Sequence, residues 1–332
     1  MHPAKRVLTG MLASNPAPRT LSFSSLEQTT LTPQRSAHLS SFGTEPVAFA
    51  IGSMPLEVRF SSTRSAAEFA ARYADLPAHA GPSVPPSALK LFVVERLGHV
   101  LFWVDSQWVW RWAGGPIESD LIGFFADAVL HHELARLTPA VDFHAAVLAV
   151  NGACAALTGV TTAGKTTTAV ACVRAGLRLY SDERCILQEG RVVPFLRRLT
   201  LRAGGRAALR ADEPVNSDFG ARLASWEGHA EVAVLASRLF GKDSQGGVPL
   251  PLRWLFLMDG FGETPLVTPT SALAAAPAIL RSFSSSETGL ERVALFLRQL
   301  RDVDVYRLRL GRPAATANAI KEIMTGAAAA RA

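Results

Sequence analysis

The segment from Ala153 to Gly176 constrains this chain more than any other. An apolar run, Ala153-Cys-Ala-Ala-Leu-Thr158, leads into Gly159-Val-Thr-Thr-Ala-Gly164-Lys165-Thr166, and Thr167 to Gly176 reads as a helix closed by Gly176. The pattern G-x-x-x-x-G-K-[ST] is met at every fixed position, in the order strand, loop, helix that its mechanism requires. Glycines let the backbone curl so that successive N–H groups point at phosphate oxygens, and the helix start adds its partial positive charge. Lys165 is placed to reach β- and γ-phosphates, and the Thr166 hydroxyl to ligate magnesium. The expected nucleotide-binding set is Gly159, Val160, Thr161, Thr162, Ala163, Gly164, Lys165, Thr166 and Thr167, with a nucleoside triphosphate and Mg2+ as the bound species. The competing reading is a Gly- and Thr-rich turn that matches by chance.

A loop of this kind needs an acid near its metal, usually at the end of a neighbouring parallel strand. Asp182 and Glu183 follow Lys165 by 17 and 18 residues, the length of one helix and one returning strand, Leu177-Arg-Leu-Tyr180, in a right-handed crossover. Thr166, Asp182 and Glu183 are thus the expected metal-side residues. Ser-Asp-Glu is also ordinary turn composition, so a solvated acidic turn competes. His144 stands one strand upstream and, taken alone, reads as a structural histidine. Arg197, Arg198, Arg202, Arg206 and Arg210 form a basic stretch that reads as a solvated face, from which one or two guanidiniums could clamp a phosphoryl group or an acidic substrate.

Upstream of the loop, His144-Ala-Ala-Val-Leu-Ala-Val150 and Ala153 to Thr158 flank Asn151-Gly152, a step that favours a type I′ hairpin and two antiparallel strands. Further back, Leu91 to Glu95, His99 to Trp103 and Gln107 to Trp112 read as strands of a small sheet, with a turn at Asp105-Ser106. Trp108, Trp110 and Trp112 would share one face there, and core filling is the preferred reading over a base-stacking platform. Asp120 to Leu137 carries Leu121, Phe124, Phe125, Ala128, Val129 and Leu134 at helical spacing, which predicts an amphipathic helix.

With 332 residues and 48% hydrophobic composition the chain has room for a substantial core. Its longest apolar run is Ala145 to Val150, far short of a membrane span. Cys154, Cys172 and Cys185 form no C-x-x-C pair and read as small buried hydrophobes in a reducing cytosol. The net charge of +6 permits an anionic partner without identifying one. Residues 1–44 are rich in Ser, Thr, Pro and Ala with one acid, Glu27, and read as a disordered or docked leader; an organelle transit peptide has the same composition.

The segments Phe143-His-Ala-Ala-Val147, Gly159 to Thr166 and Gly176-Leu-Arg-Leu-Tyr-Ser-Asp-Glu183 together resemble the HPr kinase/phosphorylase family and its relatives. The resemblance covers residues 142–202 well, including Val193-Pro-Phe-Leu-Arg197, and more loosely the remainder to about 325, where Val305-Tyr-Arg-Leu-Arg-Leu310 is similar to the family's closing strand. It implies an α/β fold of α+β character, a P-loop core like phosphoenolpyruvate carboxykinase, with ATP as nucleotide and a serine hydroxyl as acceptor. The family's histidine falls on His144, its lysine on Lys165, its magnesium-binding hydroxyl on Thr166 and its acidic pair on Asp182 and Glu183; this reverses the structural reading of His144. The family usually has Gly where this chain has Thr162 and Asp where it has Glu183, and the Arg-Gly-rich stretch of the phosphorylase reaction has no counterpart.

The expected organisation is a leader (1–44), a small N-terminal α+β domain (45–138), a kinase domain (139–325) and a tail (326–332). The expected activity is transfer of the γ-phosphoryl group to a Ser or Thr hydroxyl of a peptide or small protein in the cytoplasm. His144, Lys165, Asp182 and Arg197 are its candidate catalytic residues. No nucleic-acid or membrane partner is implied, and homo-oligomerisation stays open. The alternatives are a nucleotide-binding regulatory module without transferase activity and a small-molecule hydroxyl kinase.

Overall fold

The computed structural model describes residues 26–29, 46–51, 54–76, 89–96, 99–104, 108–112, 118–137, 140–214, 217–241, 247–282 and 290–330. The fold is mixed α/β, and it divides into two compact units: one from the N-terminus to Thr138 without Tyr73–Leu76, the other comprising that short segment and Pro139–Ala332.

In the first unit, β1 (Glu27–Thr29), β2 (Val47–Ile51), β3 (Met54–Phe60), β4 (Leu89–Arg96), β5 (His99–Val104) and β6 (Trp108–Trp112) form one sheet in the order β1-β6-β5-β4-β3-β2. Helix α1 (Thr63–Arg72) connects the parallel pair β3 and β4, and α2 (Ser119–Leu137) follows the sheet. Phe69 of α1 meets Phe49 and Phe60, and Phe125 of α2 meets Phe102 and Trp112, so both helices bury aromatic anchors on the sheet. Trp103 is one residue from Phe102 and therefore faces the other side, where it packs with Phe92 and Leu101.

The structure adds three details to the sequence reading. The buried stripe of α2 is Ile122, Phe125, Ala126, Val129 and Leu130, while Leu121, Phe124 and Ala128 are half-buried. Apolar residues occur on most sides of the helix, and Asp127 and Glu133 are buried as well, so periodicity alone did not fix its inward face. Residues 27–29, placed in a leader, form an edge strand paired with Val109–Arg111, and Leu26 is buried. Trp112 is buried, as core filling requires; the side chains of Trp108 and Trp110, the turn at Asp105-Ser106 and the rest of the leader lie outside the described residues.

The second unit is built on a larger sheet. β7 (Val141–Phe143), β8 (Ala145–Val150), β9 (Ala153–Thr158), α3 (Lys165–Arg174), β10 (Arg178–Ser181), β11 (Cys185–Gln188), β12 (Arg191–Val193), β13 (Leu199–Arg202), α4 (Ala203–Ala211), α5 (Asp218–Ala224), β14 (Glu231–Val234) and α6 (Ala236–Phe240) come first. β15 (Leu250–Phe261), β16 (Leu266–Thr270), α7 (Ala272–Leu280), α8 (Leu290–Gln299), β17 (Asp304–Leu310) and α9 (Pro313–Ala330) complete it. The strand order is β10-β8-β9-β15-β12-β11-β7, with β17 beside β15 and β16 beside β17, while β13 and β14 pair separately. β15 lies parallel to both β9 and β17.

The expected hairpin is present: β8 and β9 are antiparallel, and Asn151 and Gly152 have φ 49° and 76°, the signs a type I′ turn demands. Along the strands, Val147, Ala156, Leu255, Leu257 and Val305 share a cluster with Ile279 of α7 and Phe296 of α8. Helices α3 and α9 pack on each other, and α3 also contacts β8, β9 and β10. Helix α3 starts two residues earlier than the sequence suggested and ends in a Schellman motif, with Gly176 N–H on the Val173 carbonyl and Leu177 N–H on that of Cys172. Among the described residues no helix is long and apolar enough to cross a membrane. All three cysteines are free and buried, and burial pushes their thiols far above the ordinary range.

Candidate functional site

The turn between β9 and α3 places Gly159 to Gly164 at the C-terminal end of a central strand, where ligands of open α/β sheets bind. Gly164 is the N-cap of α3 with φ 89°, a left-handed conformation that glycine adopts without strain. Thr162, where a glycine was the family expectation, also lies in the left-handed region, at φ 71°. The backbone keeps the glycine-type path and a β-branched residue carries the strain. Lys165 is buried at the helix start, and its ammonium donates to the carbonyls of Gly159 and Val160, each at 2.9 Å, which ties the loop to its own helix.

The Thr166 hydroxyl stands 3.1 Å and 3.0 Å from the two carboxylate oxygens of Asp182. Asp182 is 1% exposed, and burial, then the charge of Glu183, pushes its carboxyl up to about 7 against the opposing pull of Thr166, Arg197 and Lys165. The acid therefore sits beside the hydroxyl as the metal reading requires, but by another route. β10 is not the neighbour of β9: it runs antiparallel to β8, which is antiparallel to β9, so β10 and β9 are parallel with one strand between them.

The acidic turn is pinned from below. The Ser181 hydroxyl bonds the carbonyls of Arg184 and Phe195, the latter at 2.8 Å, and Phe195 N–H returns to Tyr180 O at 3.0 Å. Arg184 is buried in an ion pair with Asp142 of β7. A solvated turn does not describe this arrangement.

Glu183 has φ 76°, which turns its side chain to a different set of partners. Its carboxylate lies 3.3 Å from His144 Nδ1 and 3.5 Å from the Arg197 guanidinium, and its carbonyl oxygen is 2.7 Å from the same imidazole nitrogen. His144 itself sits in the break between β7 and β8, with its N–H on Ser282 O at 2.6 Å and its carbonyl accepting from Thr158 Oγ1 at 2.9 Å. Lys165, Thr166 and Asp182 thus form one group, and His144, Glu183 and Arg197 another directly beside it.

The remaining arginines divide. Arg202 and Arg210 pair with Glu231 and Glu227 on the surface, as a solvated face would. Arg206 does not: it is buried and donates to the carbonyls of Leu201 at 2.6 Å, Trp226 at 3.2 Å and His229. It closes three backbone segments on α4 instead of facing a phosphate. Sequence reading also passed over the part played by Ser181, hidden in ordinary turn composition.

Among the described residues no group of three or more His, Cys, Asp or Glu gathers as a metal cage. Thr166 and Asp182 supply hard oxygens in the small number that Mg2+ uses when phosphate and water complete its shell, so the residues present fit that ion.

No protein-family model matches the chain, and no curated protein matches it. Among solved structures the chain is similar to the Hpr(Ser) kinase/phosphatase from Coxiella burnetii, at 12% identity over 57% of this chain and 97% of that one. The TM-score is 0.27, a likeness too slight to bear on fold or function.

Proposed function

We propose that this chain binds ATP with Mg2+ on the loop from Gly159 to Thr167 and transfers the γ-phosphoryl group to a Ser or Thr hydroxyl of a peptide or small protein. The observation that carries the reading is the meeting of Thr166 with both oxygens of buried Asp182 at the start of α3, beside Lys165. A backbone turn at a helix N-terminus with an adjacent ammonium suits phosphate. When bound, Mg2+ would supply charge neutralisation to the phosphates, held by the Thr166 hydroxyl with Asp182 beside that hydroxyl. Lys165 stabilises the charge of the transferring group, and Arg197 stands close enough to Glu183 to join it from the acidic turn. Asp182, as the carboxylate beside Thr166, is the proton acceptor for the attacking hydroxyl, with His144 and Glu183 next to it. The resemblance of this segment to the HPr kinase/phosphorylase family supports a serine hydroxyl as acceptor, and the buried thiols agree with a cytoplasmic setting.

A second reading, a nucleotide-binding regulatory module without transfer, is favoured by Glu183, whose carboxylate is engaged by His144 and Arg197. Thermal unfolding with and without ATP and Mg2+ tests the shared part, since a ligand of the native state raises stability by mass action. Wild type shifts upward and Lys165→Ala loses most of the shift; an equal shift in both refutes the site. Acceptor-dependent ATP consumption then separates the two readings.

A further inference from the structure

The strand beside the loop strand ends in an irregularity. β15 runs in register with β17 from Trp254 to Met258; the register then shifts before Phe261, with Gly260 at φ 83°. A bulge of this kind re-aims the side chain that follows it, and glycine at positive φ makes it cheap. Phe261 comes to lie opposite Leu310, and a Cβ placed on Gly164 would stand 3.7 Å from two of its ring atoms. The ring therefore lies against the N-cap residue of the phosphate-loop helix. It is nevertheless 68% exposed, whereas Trp254 to Met258 before it are buried.

The strand end that carries the ring is braced. Gly262 N–H donates to Leu310 O at 2.7 Å, and Gly311 N–H is bound by Thr316 Oγ1 at 3.0 Å. Gly311 approaches Pro265 so closely that an added Cβ would come within 2.6 Å. An exposed aromatic ring on a braced strand end is a surface prepared for a flat apolar ligand.

The side on which it stands selects that ligand. Asp182 follows β10, and the order β10-β8-β9-β15 puts Phe261 across the loop strand from the acid. A triphosphate with its phosphates in the loop and its terminal end on the Asp182 side would have β15 on the opposite side for its nucleoside. We propose that Phe261 is the nucleobase platform of this site, the base stacking on its exposed face while the phosphates occupy the loop. This rests on the nucleotide reading of the loop. The contact is with the face of the base and not its hydrogen-bonding edge.

The test is calorimetric titration of the full chain with ATP and with inorganic tripolyphosphate, both with Mg2+, for wild type, Phe261→Ala and Phe261→Tyr. Phe261→Ala weakens ATP binding by about tenfold or more and leaves tripolyphosphate within about twofold, and Phe261→Tyr restores ATP binding. Unchanged ATP affinity in Phe261→Ala, equal weakening of both ligands, or failure of Phe261→Tyr to restore binding overturns the platform while wild-type binding keeps the loop assignment. If wild type binds neither ligand, the loop assignment falls and the platform with it.

Discussion

Asp182 places both of its carboxylate oxygens about the Thr166 hydroxyl, at 3.1 Å and 3.0 Å, although sixteen positions and an intervening strand separate the two residues. The pair joins the turn after β10 to the first turn of α3.

A carboxylate that takes the acceptor's proton acts in the transition state. Asp182→Asn keeps the shape and removes the charge, so phosphoryl transfer should fall by on the order of 10²-fold or more while ATP affinity changes less. Steady-state transfer to the cognate acceptor beside ATP titration gives both numbers. Transfer at the wild-type rate would remove Asp182 as the base. Equal loss of affinity and turnover would make it a metal-site residue and leave His144 as the base.

The same carboxyl makes the unliganded protein sensitive to pH. Its folded pKa is raised toward 7, above the unfolded value of about 3.9, so the folded state binds the extra proton between those limits. Stability from this group is present at low pH and is lost as pH rises through that window. In chemical denaturation without nucleotide or Mg2+, wild type should lose more stability than Asp182→Asn between about pH 5 and pH 8. Parallel curves for the two proteins would count against a raised carboxyl.

Thr162 holds a left-handed backbone at φ 71°. Glycine adopts that conformation freely, and relief of the strain should outweigh its larger unfolded-state entropy. Thr162→Gly should therefore be more stable by about 1 kcal/mol, with the loop path unchanged. Urea unfolding measures this, and a less stable variant would mean that the threonine side chain holds the loop.

Arg206 is buried against three backbone carbonyls. Arg206→Met fills similar volume and leaves those acceptors without their donor, so the variant should lose about 3 kcal/mol or more of stability. Arg210→Met, which removes a surface pair with Glu227, should cost less than about 1 kcal/mol. Similar losses in the two variants would place Arg206 with the surface arginines.

Several features of this protein were legible in short windows of its sequence. The turn after β9, the hairpin at Asn151-Gly152 and the end of α3 at Gly176 all depend on backbone preferences of adjacent residues, and each was readable from a few positions. The face of α2 was not readable, because apolar residues surround it and only packing on Phe102 and Trp112 selects Phe125 as the inward side.

Sequence by itself determined that a glycine-bounded turn carrying Lys165 and Thr166 joins a strand to a helix, since the covalent neighbourhood alone enforces it. Tertiary structure alone decided what that turn meets. The parallel course of β10 and β9 on either side of β8 brings Asp182 to the same end of the sheet as Thr166, the positive φ of Glu183 accompanies the approach of its carboxylate to His144 and Arg197, and the bulge at Gly260 turns Phe261 to the loop. These relations join segments up to about a hundred residues apart, and their energies come from burial and pairing that exist only once the sheet has closed.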